Sequence, residues 1–212
     1  MRKRLTRASL SLLLANTNTG SLHLIGFNMK ILSSTLLFAA ILALVVSCSK
    51  EPTYIASGCD YFPLQVQNSW EFEISPKTTI IATKVIEQKT YFVFASSTDT
   101  SYYRKENNKV YIRSAYEPEA LIFDLDAAEN QSWQHNSWKV TLTSKNDTLV
   151  INHAKIPNCY CFFFDIPGAV DDEHAIWLAP GIGFIRKSCG FCPNPIDNLR
   201  SALINHVGIT FP

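Results

Sequence analysis

The lack of any sustained helical period after residue 58 is the feature that most limits what this chain can fold into. Short segments rich in Val, Ile, Thr, Tyr and Phe alternate instead with turn residues every ~8–12 positions, as in consecutive antiparallel hairpins. Only 64–68 and 126–130 are candidates for a single helical turn. The predicted strands are 70–74, 79–87, 90–96, 101–105, 109–114, 120–124, 138–144, 148–152, 159–165, 174–178, 183–188 and 201–207.

This pattern predicts an all-β protein. We expect a curved or barrel-like antiparallel sheet of about 10–12 short strands, with a two-sheet β-sandwich as the alternative. The expected organisation is a signal region at 1–47, a lipidated tether at 48–58 and a single β-rich domain at 59–212. A domain of that length is long enough to bury a hydrophobic core.

The leader has the parts of a bacterial secretion signal. Residues 31–46 are apolar and uncharged, follow Met29-Lys30 and end at Ser47-Cys48. The run would measure ~24 Å as a helix, which is short for a permanent membrane span. Its last residues resemble a lipobox, the signal in which the cysteine receives a diacylglycerol and the chain is cut before it. The resemblance implies covalent lipid on Cys48 and attachment to a membrane.

Two details refine this expectation. The first 28 residues are long for a positive region, so we expect translation to start at Met29. Ser49 follows the cysteine where an Asp would favour the inner membrane, so the resemblance implies the outer membrane, facing the periplasm or the cell surface.

Charge argues against a nucleic-acid partner. Five of the 19 basic residues and none of the 18 acidic residues precede Cys48, which leaves 14 basic against 18 acidic residues and a net charge of −4. Nucleic-acid binding needs clustered Lys and Arg facing phosphate, and no basic run follows the cysteine.

Two separated patches carry a family resemblance. Residues 61–64 read YFPL and precede 68–72, NSWEF, while 177–185 read WLAPGIGFI. Together they resemble the uncharacterised β-rich lipoproteins of Bacteroidota, whose pattern runs "YFPL…GN.W.Y" early and "W.APG.G.I" late. The resemblance covers most of 60–190 and departs at Gln67, where the pattern has Gly. It implies a shared fold and secretion route and no catalytic residue.

Five cysteines remain beyond the lipid attachment site. An exported protein meets an oxidising compartment, so disulfides are the first expectation, with 15 ways to form two bridges and one free thiol. Cys-x-Cys plus Cys-x-x-Cys could instead supply four thiolates to a metal such as Zn(II) or Cu(I), or the second motif could exchange disulfides. The residues concerned are Cys59, Cys159, Cys161, Cys189 and Cys192.

Other patterns are weaker. The acidic stretch 171–174 (Asp-Asp-Glu-His) could hold Ca²⁺ but lacks the spacing of an EF-hand loop. The four tryptophans, Trp70, Trp133, Trp138 and Trp177, could stack on a sugar, although buried positions are more typical. No serine-hydrolase elbow, zinc-protease or phosphate-loop motif occurs.

These observations predict a lipid-anchored envelope protein that binds or assembles and is not an enzyme, with no cofactor apart from the covalent lipid on Cys48. The expected partners are the membrane and an unidentified protein, glycan or apolar ligand. A thiol-based metal-binding or redox protein is one alternative. A carrier of an apolar ligand is another, if the sheet leaves an apolar cavity.

Overall fold

The computed structural model describes residues 59–190 and 193–211, which belong to the unit Lys50–Pro212. The signal region 1–47, the start at Met29, the lipidated Cys48, the tether and Cys192 lie outside the described residues. Thirteen strands and no helix occur in the described part. They are β1 Ser69–Phe72, β2 Thr78–Ile86, β3 Lys89–Ala95, β4 Thr100–Glu106, β5 Lys109–Arg113, β6 Ala120–Asp124, β7 Ser132–His135, β8 Trp138–Ile151, β9 Ala154–Asp165, β10 His174–Ala179, β11 Gly183–Cys189, β12 Ile196–Ile204 and β13 Val207–Thr210.

The strands form one antiparallel sheet in the order β6-β5-β4-β3-β2-β1-β12-β11-β10-β9-β8-β7, with β13 added beside β12. Each half of the chain is thus a meander of neighbouring hairpins. The two meanders join where Trp70 of β1 pairs with Ala202 of β12. The strands β6 and β7 stand at the two ends of the order.

Aromatic rings close this sheet into a barrel-like shape. Phe123 of β6 lies 4.8 Å from Phe162 of β9 and 6.2 Å from Phe184 of β11, measured between ring centroids. Phe62, which precedes β1, contacts the rings of both Phe123 and Phe184. Strands far apart in the sheet therefore share one core, which confirms the curved, barrel-like all-β prediction over the two-sheet sandwich.

The two sequence patches meet inside this core. The indole N–H of Trp70 donates to the carbonyl of Ile182 at 2.8 Å. Gly183 has φ +84, and a Cβ there would lie 3.2 Å from Pro63 and 3.3 Å from Trp70. Asn68, which is 1% exposed, donates to the carbonyl of Pro63 and accepts from an amide in the β12–β13 turn. The patches are parts of one packing unit.

The β8–β9 hairpin is long and bent. Residues 138–144 and 148–152 were expected as two strands, but β8 is continuous because bulges absorb the Asn146-Asp147 pair. The half of the hairpin next to its tip extends across β10 and reaches β11, where Arg186 donates to the carbonyl of Val150 at 3.0 Å. Asn152 at the tip donates to the carbonyl of Phe211 at 3.3 Å.

Other differences from the expectation concern turns and short strands. The helical turns at 64–68 and 126–130 are wrong, because Gln67 at φ +79 and Asn130 at φ +65 reverse the chain. The strands β7 and β13 were not predicted, and 201–207 falls on parts of β12 and β13.

No helix in the described ranges is long and apolar enough to cross a membrane.

Candidate functional site

One end of the barrel carries an open cavity of about 260 Å³. The β1–β2, β3–β4, β9–β10 and β11–β12 connections all lie at this end, because consecutive antiparallel strands return to it. We call it the open end. Its lining residues are Trp70, Phe72, Thr78, Phe94, Ser96, Asp99, Ser101, Tyr103, Ile176, Phe184 and Lys187.

The floor of the open end is aromatic and rigid. Trp70 and Phe94 stack with centroids 5.6 Å apart and planes 9° from parallel, and Phe184 meets Trp70 edge-on at 5.8 Å. Tyr103 packs against Phe94 at 4.4 Å. Burial raises the pKa of Tyr103, so its hydroxyl stays protonated and can donate a hydrogen bond.

A bulge brings a lysine to this floor. Trp177 of β10 pairs with Arg186, but the next residue, Leu178, pairs with Phe184, so Ile185 is extra. Consequently Arg186 points to the outer face, against Trp177, while Lys187 points to the same face as Phe184. Burial lowers the pKa of Lys187, and the negative charge of Asp197 opposes that shift.

A groove of about 460 Å³ continues from the cavity, and Ile176 and Lys187 line both. Ile74, Pro193 and Pro195 form apolar parts of its wall, and Asp172, His174, Lys187 and Asp197 are its titratable groups. The Asp197 carboxylate accepts from the amides of Ile74 and Ser75 at 2.9 and 3.0 Å. His174 stacks on Phe164 with centroids 4.5 Å apart, and burial lowers the pKa of its imidazole.

The acidic stretch 171–174 forms part of this groove but does not gather its side chains around one point. The Asp172 carboxylate accepts from the amide of Ile166 at 2.6 Å. The carbonyl of Glu173 accepts from the amide of Gly190 at 2.7 Å. Across the described ranges, no three His, Cys, Asp or Glu side chains are close enough to hold a metal ion. The calcium hypothesis gains no support from this geometry.

The cysteines lie in three different places. Cys59 is exposed, and Cys159 and Cys161 are buried in β9; all three are free thiols in the structure, whereas an oxidised state was the first expectation. Burial raises the pKa of Cys159 to about 12 and also raises that of Cys161. Cys189 ends β11 beside the groove and is not a free thiol. Its sequence neighbour Cys192 lies outside the described residues.

The tryptophans are dispersed. Trp70 is 1% exposed and belongs to the core. Trp138 meets His174 edge-on at 4.7 Å near the groove, and Trp177 donates to Asp147 on the outer face at 2.9 Å. Trp133 is partly buried against the core. The four therefore form no shared platform for a sugar.

A charged cluster covers the outer face of the first meander. Glu119 accepts from Arg104, from Lys89 at 2.8 Å and from the hydroxyl of Tyr91. The Arg104 guanidinium lies 4.1 Å from the centre of the Tyr111 ring. Hydrogen bonds from Arg104, Lys89 and Tyr91 lower the pKa of Glu119 to about 2, against the opposing effect of burial. Its partners are mutually satisfied, so we assign this cluster a structural role.

Sequence reasoning missed the residues of the open end, including Lys187, Tyr103 and Thr78. Strict alternation from Phe184 selects Arg186 for the inner face, and only the bulge at Ile185 replaces it with Lys187. No sequence signal marks Lys187, because it lies between Arg186 and Ser188.

Comparison with known proteins finds no matching family model, no matching curated protein and no matching solved structure.

Proposed function

We propose that this chain is a lipid-anchored protein of the bacterial cell envelope whose β-domain binds a small ligand at the open end. The observation that carries the binding part is the cavity with an aromatic floor and a partly buried lysine. Ligand sites are typically concave and mostly apolar with a few placed polar groups. The lipid anchor is supported by the apolar run that ends at Cys48.

The first described residues lie at the end of the barrel opposite the open end. Asp60 accepts at its carbonyl from the amide of Gly181, in the β10–β11 turn, and its carboxylate pairs with Lys105. Both partners lie at the end of the barrel opposite the open end, because β4 and β10 run away from it. The described chain thus begins at the end of the barrel opposite the cavity.

The structure favours this proposal over the two alternatives. A metal-binding or redox protein needs reactive thiolates, but burial raises the pKa of both Cys159 and Cys161. A carrier that encloses a whole lipid needs an empty interior, but the rings of Phe62, Phe123 and Phe184 meet in the centre of the barrel. Binding at the open end requires neither a reactive thiolate nor an empty barrel interior.

We also propose a disulfide between Cys189 and Cys192. The Cys189 amide donates to the carbonyl of Pro195 at 2.9 Å, which closes a short loop around the two cysteines. Such a bridge would fix one wall of the groove. Mass mapping of peptides without reduction tests it: the two cysteines should appear in one linked species that separates after reduction, and free thiols at both would refute it.

Two measurements test the main proposal. Metabolic labelling with an alkyne fatty acid should mark the wild-type protein and not Cys48→Ala, and fractionation should place the labelled protein in the outer membrane. Labelling of the variant, or of neither protein, would refute the anchor.

The second measurement uses the neutral apolar dye N-phenylnaphthylamine. Its fluorescence should increase on binding to the wild type and should fall for Ile176→Glu, which places a charge between cavity and groove. Ile81→Glu is the matched control, since Ile81 is 57% exposed on β2 and lines neither. Equal effects of the two changes, with folding confirmed by circular dichroism, would refute binding at the open end.

A further inference from the structure

The ammonium of Lys187 forms no hydrogen bond and no close ion pair in the described part of the chain, although the negative charge of Asp197 acts on it from farther away. Its Nζ lies 4.1 Å from the centre of the Phe72 ring and 5.9 Å from that of Phe184. No hydrogen-bond acceptor lies within bonding distance of it among the described residues, and the Asp197 carboxylate is held in place by the backbone amides of Ile74 and Ser75. A partly desolvated ammonium without an acceptor is costly, so an anion placed beside it would be bound favourably.

Two residues with hydroxyl groups belong to the lining of the same cavity. Tyr103 and Thr78 line it, and neither side chain makes a hydrogen bond to another described residue. The acceptors nearby are in use, because Asp99 accepts from the Thr100 amide at 2.7 Å and from the Ser101 hydroxyl at 3.3 Å. The cavity therefore contains an ammonium and two hydroxyl groups that donate to no described residue, beside an Asp99 carboxylate that accepts two hydrogen bonds from its own loop.

The surrounding charge selects the kind of anion. Asp99 lines the cavity, and Asp172 and Asp197 line the groove that joins it. A phosphate would bring nearly two negative charges close to these carboxylates, and the site has a single ammonium in place of the guanidinium fork that grips phosphate in two places. A carboxylate carries one charge, so the three aspartates repel it less than they would a phosphate, and it can pair with the single ammonium of Lys187.

The groove supplies room for an apolar group. It shares Lys187 and Ile176 with the cavity and is lined further along by Ile74, Pro193 and Pro195. Cavity and groove, at about 260 and 460 Å³, fall near the range of roughly 300–1,000 Å³ that is usual for small-molecule sites. A ligand with its acid at the cavity could lay a short chain along the groove.

We infer that the open end binds the carboxylate of a small amphipathic acid, with Lys187, Tyr103 and Thr78 donating to the carboxylate and the apolar chain lying in the groove. This inference rests on the proposed function and names its ligand class. Binding of a neutral analogue of the acid tests whether the open end binds ligands at all. The difference in affinity between the acid and its neutral analogue tests the role of the three donors.

The experiment compares four probes of similar chain length: pentanoate, pentanol, pentylamine and pentyl phosphate. Each is titrated calorimetrically into the full-length protein in lipid nanodiscs, with empty nanodiscs as the blank. Pentanoate should bind about tenfold or more tightly than pentanol, as expected for a charge-assisted hydrogen bond. Lys187→Met should weaken pentanoate about tenfold or more, so that it binds no more tightly than pentanol.

Matched variants separate the site from general effects of charge and ring chemistry. Lys84→Met and Tyr102→Phe alter a second lysine–tyrosine pair, 5.3 Å apart on the outer face, and should change no affinity. Tyr103→Phe should weaken pentanoate several-fold, because it removes only the hydroxyl and keeps the ring against Phe94. If Lys187→Met does not fold, the effect of Tyr103→Phe on pentanoate affinity tests the carboxylate site in its place.

The outcomes are distinct. Tightest binding of pentylamine would mean that the aromatic floor recognises cations and would overturn the inference. Pentyl phosphate binding as tightly as pentanoate would overturn the choice of a singly charged acid. If pentanoate and pentanol bind equally in all variants, the ligand class is wrong but the proposed binding function stands. If no probe binds, both fail.

Discussion

Replacement of Gly183 by alanine tests how tightly the two sequence patches pack. The residue has φ +84, which costs an L-amino acid about 1–2 kcal/mol. The new methyl would also lie 3.2 Å from Pro63 and 3.3 Å from Trp70, and overpacking of this kind costs about 1–3 kcal/mol. We therefore expect Gly183→Ala to lower the free energy of unfolding by about 2–5 kcal/mol.

Two other glycines divide this cost into its parts. Gly168 has φ +92 with nothing within 4 Å of the position of a Cβ, so Gly168→Ala should show the backbone cost alone, about 1–2 kcal/mol. Gly208 in β13 has open space and no such φ, so Gly208→Ala should be neutral or stabilise by up to about 1 kcal/mol.

Urea unfolding followed by tryptophan fluorescence provides the measurement, with the slope m compared between variants so that changes in the unfolded state are recognised. The expected order of stability is Gly208→Ala, then Gly168→Ala, then Gly183→Ala. A result in which Gly183→Ala costs no more than Gly168→Ala would refute the tight contact with Pro63 and Trp70. If Gly208→Ala destabilises the protein by more than about 1 kcal/mol, the three glycines do not separate the backbone cost from the packing cost.

Three further predictions follow from described contacts. Because the pKa of Glu119 is lowered from 4.5 to about 2, its contribution to stability is complete above pH 4.5 and is lost as the pH falls toward 2. Glu119→Gln should therefore flatten that part of the curve of melting temperature against pH and should cost about 1–3 kcal/mol of stability at neutral pH. An unchanged curve would refute the lowered pKa of Glu119. Gln67→Gly should stabilise the protein by about 0.5–1 kcal/mol in the same urea assay, since φ is +79 there, and destabilisation would show that the side chain matters more than the backbone. A thiol reagent should label Cys59 in the native protein but Cys159 and Cys161 only after unfolding, as read by mass spectrometry, and equal labelling rates would contradict their burial.

Much of the strand pattern could be read from the sequence because one face of each strand is buried. Segments rich in Val, Ile, Thr, Tyr and Phe between turn residues located β3, β5, β6 and β10 to within one or two residues. The strand β7 (Ser132–His135) was missed because it is short and polar, and β13 follows a two-residue turn at Asn205-His206 in which both φ angles are positive. The residue pattern within such short strands does not show that they pair with a neighbouring strand.

The candidate site was much harder to predict than the fold. It depends on bulges, and a bulge changes which side of the sheet a residue faces without leaving a clear mark in the sequence. The prediction of a turn at Asn146-Asp147 failed for the same reason, since the extra residues of β8 are absorbed within the strand. The left-handed Gln67 could have been suspected, because the pattern that this chain resembles has Gly at that position.

The joining of two meanders at β1 and β12 has a consequence for how the chain folds. Within each meander every strand pairs with its neighbour in sequence, so those contacts close short loops at low entropic cost. The pairing of Ser69 with Leu203 spans almost the whole domain and can form only after a large loss of chain entropy. We therefore expect folding kinetics in which substitutions at the β1–β12 pairing slow folding, while substitutions at hairpin tips mainly change the rate of unfolding.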